Sequence, residues 1–182
     1  MKIKSDATST ELSSTFYKKN QEFCQEFENY IASKKGKVKG TYNAWSYLIS
    51  GKIDQPRSWT LMYEKSTFTY NWNIFLSSKK QSLRIRTKWS TQLDTNLKFT
   101  IRRKSILDTF KKSTSTLNKH SKYVLISDQK PSKLISDLII ILSSLLENKD
   151  VHLVTLKKGK LMIELDTETH ELNSFEKLLV VV

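Results

Sequence analysis

"SLRIRTKWSTQLDTNLKFTIRRKS", residues 82–105, decides the fold class of this chain. Apolar and polar side chains alternate in two runs, and the segment "TQLDTN" at 91–96 separates the runs with residues that are common in turns. A period of two is typical of strands with one buried and one exposed face. We therefore predict two antiparallel strands that pair as a hairpin around "STQLDTN".

The same period of two extends from about residue 42 to residue 104, with further turn signals at 54–58, 64–67 and 77–80. This pattern predicts a meander of about five antiparallel strands. Before it, residues 8–36 read as a helix, with Thr8 and Glu11 spaced as a capping box and Gly36 as the stop. Cys24 lies beside the apolar stripe of this helix, which predicts a packed thiol and not a nucleophile.

The last third of the chain mixes both periods. It contains a predicted strand "KYVLIS", a helix "KPSKLISDLIIILSSLLEN", a hairpin across "KKGK" and a final helix or strand-like tail, with a short helix expected over 105–118. The fold class is therefore α+β. We predict a single domain over 1–182, with an N-terminal helix at 1–40, an antiparallel meander at 41–104 and a β-α-β-β-α half at 105–182.

The strand "YVLISD", the apolar helix after it and the hairpin "HLVTLKKGKLMIELD" give residues 40–180 a recognisable layout. This layout resembles a soluble domain of uncharacterised bacterial proteins, many of which are tethered to membranes. The resemblance implies the same fold for this chain. It implies no functional residue.

Positive charge is concentrated in one part of the chain. The net charge is +13, and residues 79–122 hold 13 basic and 2 acidic side chains. An excess of 26 Lys over 5 Arg is expected from AT-rich codon usage, but four of the five arginines also fall in this stretch. The stretch therefore favours a negatively charged partner.

The two strands of the opening stretch would present their cations on one side. In the predicted hairpin, the basic face of each strand lies opposite an apolar face, so both basic faces share the solvent side. We predict an anion-binding site there, formed by Arg84, Arg86, Lys88, Lys98 and Arg102. Two alternatives stay open: a solvated sheet face, or internal neutralisation by carboxylates such as Asp137, Glu164 and Asp166.

Catalytic and cofactor motifs are not apparent. The four glycines are too scattered for a phosphate loop, and the three histidines have no metal-ligand spacing. "DTETHE" at 166–171 offers hard metal ligands, but the simpler interpretation is a polar turn before the last helix. We expect no catalytic residue, no metal and no cofactor.

These observations predict a non-enzymatic binding module whose basic sheet face binds a polyanion, such as nucleic acid, or an acidic protein. The alternatives are peripheral association with an anionic membrane, or an apolar ligand in a cavity behind the meander. The start "MKIKSDATST" has no signal-peptide core, and the apolar run at 138–146 is too short to span a bilayer. With one cysteine, these features lead us to expect a cytoplasmic bacterial protein.

Overall fold

The computed structural model describes residues 2–66, 84–106, 108, 115–117, 120–127 and 132–182. It confirms the predicted α+β class, with a mostly antiparallel arrangement of strands and helices near both ends of the chain. The elements are β1 (Ile3–Ser5), α1 (Thr15–Ser33), β2 (Lys37–Tyr42), β3 (Ser46–Ile53), β4 (Trp59–Ser66), β5 (Ile85–Gln92), β6 (Phe99–Arg103), β7 (Ser115–Leu117), β8 (His120–Ser127), α2 (Lys133–Ile141), α3 (Ser143–Glu147), β9 (Val151–Lys157), β10 (Lys160–Thr167) and α4 (Leu172–Val181).

The chain divides into two compact units. The first unit comprises residues 1–88 and 167–170, and the second comprises residues 89–166 and 171–182. Strand β5 crosses the division after Lys88. The predicted single domain over 1–182 stays a prediction, and each unit is described by itself.

In the first unit the strands follow the order β1-β2-β3-β4, with the start of β5 next to β4. β1 runs parallel to β2, whereas β3 runs antiparallel to both β2 and β4. Helix α1 covers the buried side of these strands. It approaches β3 closely at Gly51, where a Cβ atom would lie 2.6 Å from the Ile31 side chain and 2.8 Å from Phe27. Glycine is therefore required for this packing distance.

Helix α1 begins later than the sequence pattern predicts. Glu11 does accept hydrogen bonds from the Thr8 backbone N–H at 2.7 Å and from its hydroxyl at 2.8 Å, but this pair closes a turn outside the helix. Ser14 is the actual N-cap and accepts from the Phe16 N–H. The helix ends at Ser33, and the Gly36 N–H donates to the Ile31 carbonyl at 2.8 Å. Cys24 is buried against the sheet, as predicted.

In the second unit the strands follow the order β10-β9-β6-β8-β7, with the last part of β5 next to β10. The predicted hairpin across "KKGK" is confirmed as β9 and β10. The predicted helix over 130–148 forms two helices, α2 and α3, with Ser132 as the N-cap of α2. The helix expected over 105–118 is wrong for residues 115–117, which form β7. Most of the remainder of that segment lies outside the described residues.

The predicted hairpin between the two strands of the opening stretch is wrong. β6 pairs with β9 on one side and with β8 on the other, so β5 has no place beside it. The strands β10 and β9 lie between β5 and β6. The end of β5 is instead tied to the β9–β10 turn, because the Leu93 N–H donates to the Gly159 carbonyl at 2.7 Å. Residues 93–98 therefore connect two strands that are not neighbours, and they do not form a tight hairpin turn.

The alternation of buried and exposed residues is as predicted. Buried side chains are those of Trp59, Leu61 and Tyr63 on β4, Ile85, Thr87 and Trp89 on β5, and Leu97, Phe99 and Ile101 at β6. The strand predicted around Tyr70, Trp72 and Ile74 lies outside the described residues. Among the helices of the described ranges, none has the length and hydrophobicity to cross a membrane.

Candidate anion-binding surface

Three of the five predicted anion-binding residues belong to the first unit. Arg84 precedes β5, and Arg86 and Lys88 lie within it, at alternate positions. The intervening residues Ile85 and Thr87 are buried, whereas Arg86 is exposed and Arg84 and Lys88 are half-buried. Alternate residues of a strand are about 6.6 Å apart, so the strand presents its cations as a spaced row.

The other strands of the first unit add cations to the same side. Residues on β1, β2 and β3 that alternate with the buried positions point away from α1, and the strand register places them on one face. β4 and β5 are neighbours, and buried sides of neighbouring strands share one core. We call this side the outward face; its cationic residues among those described are Lys4, Lys37, Lys39, Lys52, Arg84, Arg86 and Lys88.

Two of these lysines lie directly opposite each other. Lys37 on β2 is the register partner of Lys52 on β3, and both are exposed. Directly opposed like charges destabilise a strand pair by up to about 1 kcal/mol. Asp54 offsets part of this cost, since its carboxylate lies 3.1 Å from the Lys52 Nζ atom. Lys37 and Lys39 lie two residues apart on the neighbouring strand β2 and point to the same side.

Carboxylates are scarce at the outward strand positions. Among the described strand residues that point outward in the first unit, Glu64 on β4 is the acidic one. Leu48 and Met62 are exposed on the same face, at 55% and 39% of their surface. The outward face is therefore strongly cationic with a small apolar area near Glu64.

The sequence prediction missed Lys4, Lys37, Lys39 and Lys52. A signal was available, because "KVKGTY" at 37–42 places two lysines at a period of two around a buried valine. The prediction assigned residues before 41 to the N-terminal helix, so the strand period was not applied there. The contribution of β1 depends on its parallel pairing with β2, which no local pattern reveals.

Arg102 and Lys98 lie in the second unit. The Arg102 guanidinium donates to both carboxylate oxygens of Asp108 at 2.6 Å, and Asp108 is buried. This bidentate bond raises the pKa of Arg102 further above its ordinary value. Arg102 thus anchors the chain that follows β6. Lys98 is exposed just before β6.

The carboxylates expected to neutralise the cations also lie in the second unit. Asp137 is on α2, Glu164 is on β10 and Asp166 is near the end of β10, and all three are half-buried. Neutralisation of the first-unit cations by these groups stays a prediction. Within the first unit, Asp54 is the carboxylate in ion-pair distance of Lys52.

The segment "DTETHE" places its histidine in the core of the first unit. The His170 ring stacks on Phe23 with centroids 3.2 Å apart, and a 2.8 Å hydrogen bond joins its Nε2 atom to the Tyr47 hydroxyl. Burial and the nearby charge of Lys65 lower the pKa of His170 to about 3, so the imidazole is neutral at pH 7. Among the described residues, no group of three metal-ligating side chains comes together. His170 is therefore a packing residue.

No protein-family model, curated protein or solved structure matches this chain.

Proposed function

We propose that this protein is a non-enzymatic binding module whose outward face holds a polyanion, and that the polyanion is single-stranded nucleic acid contacted through its phosphates. The observation that carries this proposal is the charge of the outward face. Seven cationic residues on or next to four strands share that face with Glu64 on β4 and with Asp54, which is paired with Lys52, among the residues described. Lysine and arginine side chains that neutralise phosphates supply most sequence-independent binding to nucleic acids.

The buried aromatic residues favour contact with phosphates over stacking on bases. Tyr47, Trp59 and Tyr63 are buried, so they are not on the outward face. Trp45 is 40% exposed, but its ring lies 6.2 Å from that of Phe16 near the start of α1, on the other side of the strands. Proteins that bind single strands tightly and without sequence preference usually stack aromatic side chains on the bases. We therefore expect salt-sensitive, sequence-independent binding of moderate strength.

Leu48 and Met62 favour a second candidate function on the same face. Exposed apolar side chains among cations are typical of proteins that lie on anionic membranes, where apolar groups enter the headgroup region. An acidic protein partner would use the same cations. A cavity for an apolar ligand stays a prediction; behind the meander, the rings of Phe23 and Phe27 lie 5.2–5.4 Å from that of Tyr63.

The proposal is tested by replacing Arg84→Ala together with Arg86→Ala. The dissociation constant for a single-stranded oligonucleotide is measured by fluorescence anisotropy across a range of salt concentrations. Loss of two phosphate contacts is expected to weaken binding and to lower the slope of log K against log salt by about 1.4. A second pair, Lys37→Ala with Lys39→Ala, should have the same effect through a different strand.

Lys18→Ala with Lys19→Ala provides the matched control. These exposed lysines lie on α1, and replacing them removes the same amount of charge from the first unit. This pair should keep the wild-type slope. The proposal would be refuted if the wild type did not bind the oligonucleotide at low salt, or if the control pair lost as much affinity as the arginine pair. Liposome flotation separates the second candidate: binding to anionic vesicles that is lost in Leu48→Ser, without oligonucleotide binding, would assign the face to membranes.

A further inference from the structure

A second group of lysines surrounds the β9–β10 turn in the second unit. The turn sequence is Lys157, Lys158, Gly159 and Lys160, and the register places Lys157 directly opposite Lys160. Lys158 and Gly159 both have positive φ, 51° and 74°, which is typical of a two-residue hairpin turn. A lysine is uncommon at such a position, since asparagine, aspartate and glycine tolerate positive φ at lower cost.

Lys98 extends this group onto a third strand. Phe99 is the register partner of Leu156, so Lys98 lies beside Lys157 at the same end of β6 and β9. All of these lysines are exposed, and Thr100 and Thr155, two residues further along, form a register pair on the same side. A row of lysines therefore lies at the ends of three neighbouring strands, which are about 4.8 Å apart: Lys98 just before β6, Lys157 at the end of β9 and Lys160 at the start of β10. We call this set the lysine row.

A polar cleft of about 440 Å³ lies next to the lysine row. Lys98 and Lys158 both line it, Asp94 is its acidic residue among those described, and its amide and hydroxyl groups come from Gln92, Thr95 and Asn96. The cleft is held together by long-range bonds. The Leu93 N–H donates to the Gly159 carbonyl, and the Gln92 side chain donates to the Lys158 carbonyl at 3.1 Å.

We propose that this cleft binds a small ligand with phosphate groups that carry two or more negative charges. Two lysines, Lys98 and Lys158, line the cleft beside one aspartate, and the opposed pair Lys157 and Lys160 lies next to it in the adjoining hairpin. The four cations together produce a positive potential that favours an anion in the cleft. The volume is that of a small-molecule site, and the amide and hydroxyl groups can bind a polar body attached to the phosphates. None of the residues of this site belongs to the outward face of the first unit.

The test is calorimetric titration of the full chain with sodium pyrophosphate at constant ionic strength. Lys98→Ala with Lys157→Ala should weaken pyrophosphate binding about tenfold, because the variant removes one cation that lines the cleft and a second cation beside it. Asp94→Asn should tighten it, because a repelling carboxylate is removed. The double lysine variant should unfold at the same temperature as the wild type or higher, since it relieves repulsion, so a loss of binding cannot be attributed to misfolding.

Lys133→Ala with Lys177→Ala is the matched control, because these exposed lysines lie on α2 and α4 of the same unit. It should bind pyrophosphate like the wild type. No wild-type binding, or an equal loss in the control, would overturn the proposal. So would a lysine-row variant that loses only oligonucleotide binding, which would make the row part of a polymer-binding surface. Arg84→Ala with Arg86→Ala should keep pyrophosphate binding, which separates this site from the proposed function.

Discussion

His170 illustrates how one polar residue can be accommodated in an aromatic core. Its ring stacks on Phe23, and its Nε2 atom is bonded to Tyr47, whose own pKa is raised by burial. Lys65 lies nearby, with its Nζ atom 3.1 Å from the Asn20 side-chain oxygen and 5.9 Å from the centre of the Tyr47 ring. Burial lowers the pKa of Lys65 as well. Protonation of His170 would place a second positive charge close to that of Lys65 and is therefore unfavourable.

This arrangement predicts a loss of stability in mild acid. The pKa of His170 is about 3 in the folded protein, against an ordinary value of 6.5, so the unfolded chain binds a proton first as the pH falls below 6.5. Stability should then decrease by roughly 1–2 kcal/mol between pH 6.5 and pH 5. His170→Phe keeps the ring and removes the titration, so its free energy of unfolding should vary less over this range. Urea unfolding at each pH measures the difference.

His152→Gln serves as the comparison, because His152 is an exposed histidine on β9. This variant should keep the wild-type pH dependence. If His170→Phe loses stability in acid as steeply as the wild type, the buried histidine is not the source of the effect.

The pairing of β2 with β3 places two like charges opposite each other. Lys37 and Lys52 face each other across the two strands, whereas Lys39 faces Ser50. Cross-strand charges of the same sign are unfavourable, and opposite charges in the same place are favourable. The sequence of β2 is therefore not optimal for the folded state alone. This is consistent with a face that needs its cations for a partner.

Lys37→Glu should stabilise the protein by up to about 1 kcal/mol, because it replaces a repelling pair by an attracting one. The same change should weaken binding to an oligonucleotide. Lys39→Glu is the matched variant on the same strand and face, and it should affect binding similarly with a smaller gain in stability. Thermal unfolding and anisotropy together measure both effects. Equal stability of the two variants would contradict a role for the opposed pair.

The whole chain carries a net charge of +13. Cations gather on the outward face of the first unit and on the lysine row of the second. Self-repulsion of a highly charged protein destabilises its compact state, and salt screens exposed charges over about 10 Å at 0.1 M.

The melting temperature should therefore rise as sodium chloride is increased from about 10 mM to about 150 mM, because this range shortens the screening distance most. Calorimetry in a weakly binding buffer measures it. Lys37→Ala with Lys39→Ala removes part of the repulsion and should show a smaller rise. A melting temperature that is constant or falls with salt would show that the cations are already neutralised within the chain.

Local periodicity was sufficient to predict which side chains of β5 and β6 are buried. Ile85 and Trp89, and likewise Phe99 and Ile101, are buried as the period of two requires. The prediction succeeded because each of these strands has one side against a core, so apolar and polar residues alternate along it. The hairpin between β5 and β6 failed for the opposite reason. Strand β9 takes the place beside β6 and β10 takes the place beside β5, and nothing in residues 82–105 encodes that competition.

The sequence by itself determined the α+β class, the buried alternation and the cationic character of residues 84–104. Only the tertiary structure decided which cations share a face. It places Arg84, Arg86 and Lys88 in the first unit with Lys4, Lys37, Lys39 and Lys52, and it ties Arg102 to Asp108. The physical reason is that the order of apolar and polar residues along a strand determines which of its sides is buried. Which strands become neighbours depends instead on contacts between residues far apart in the chain.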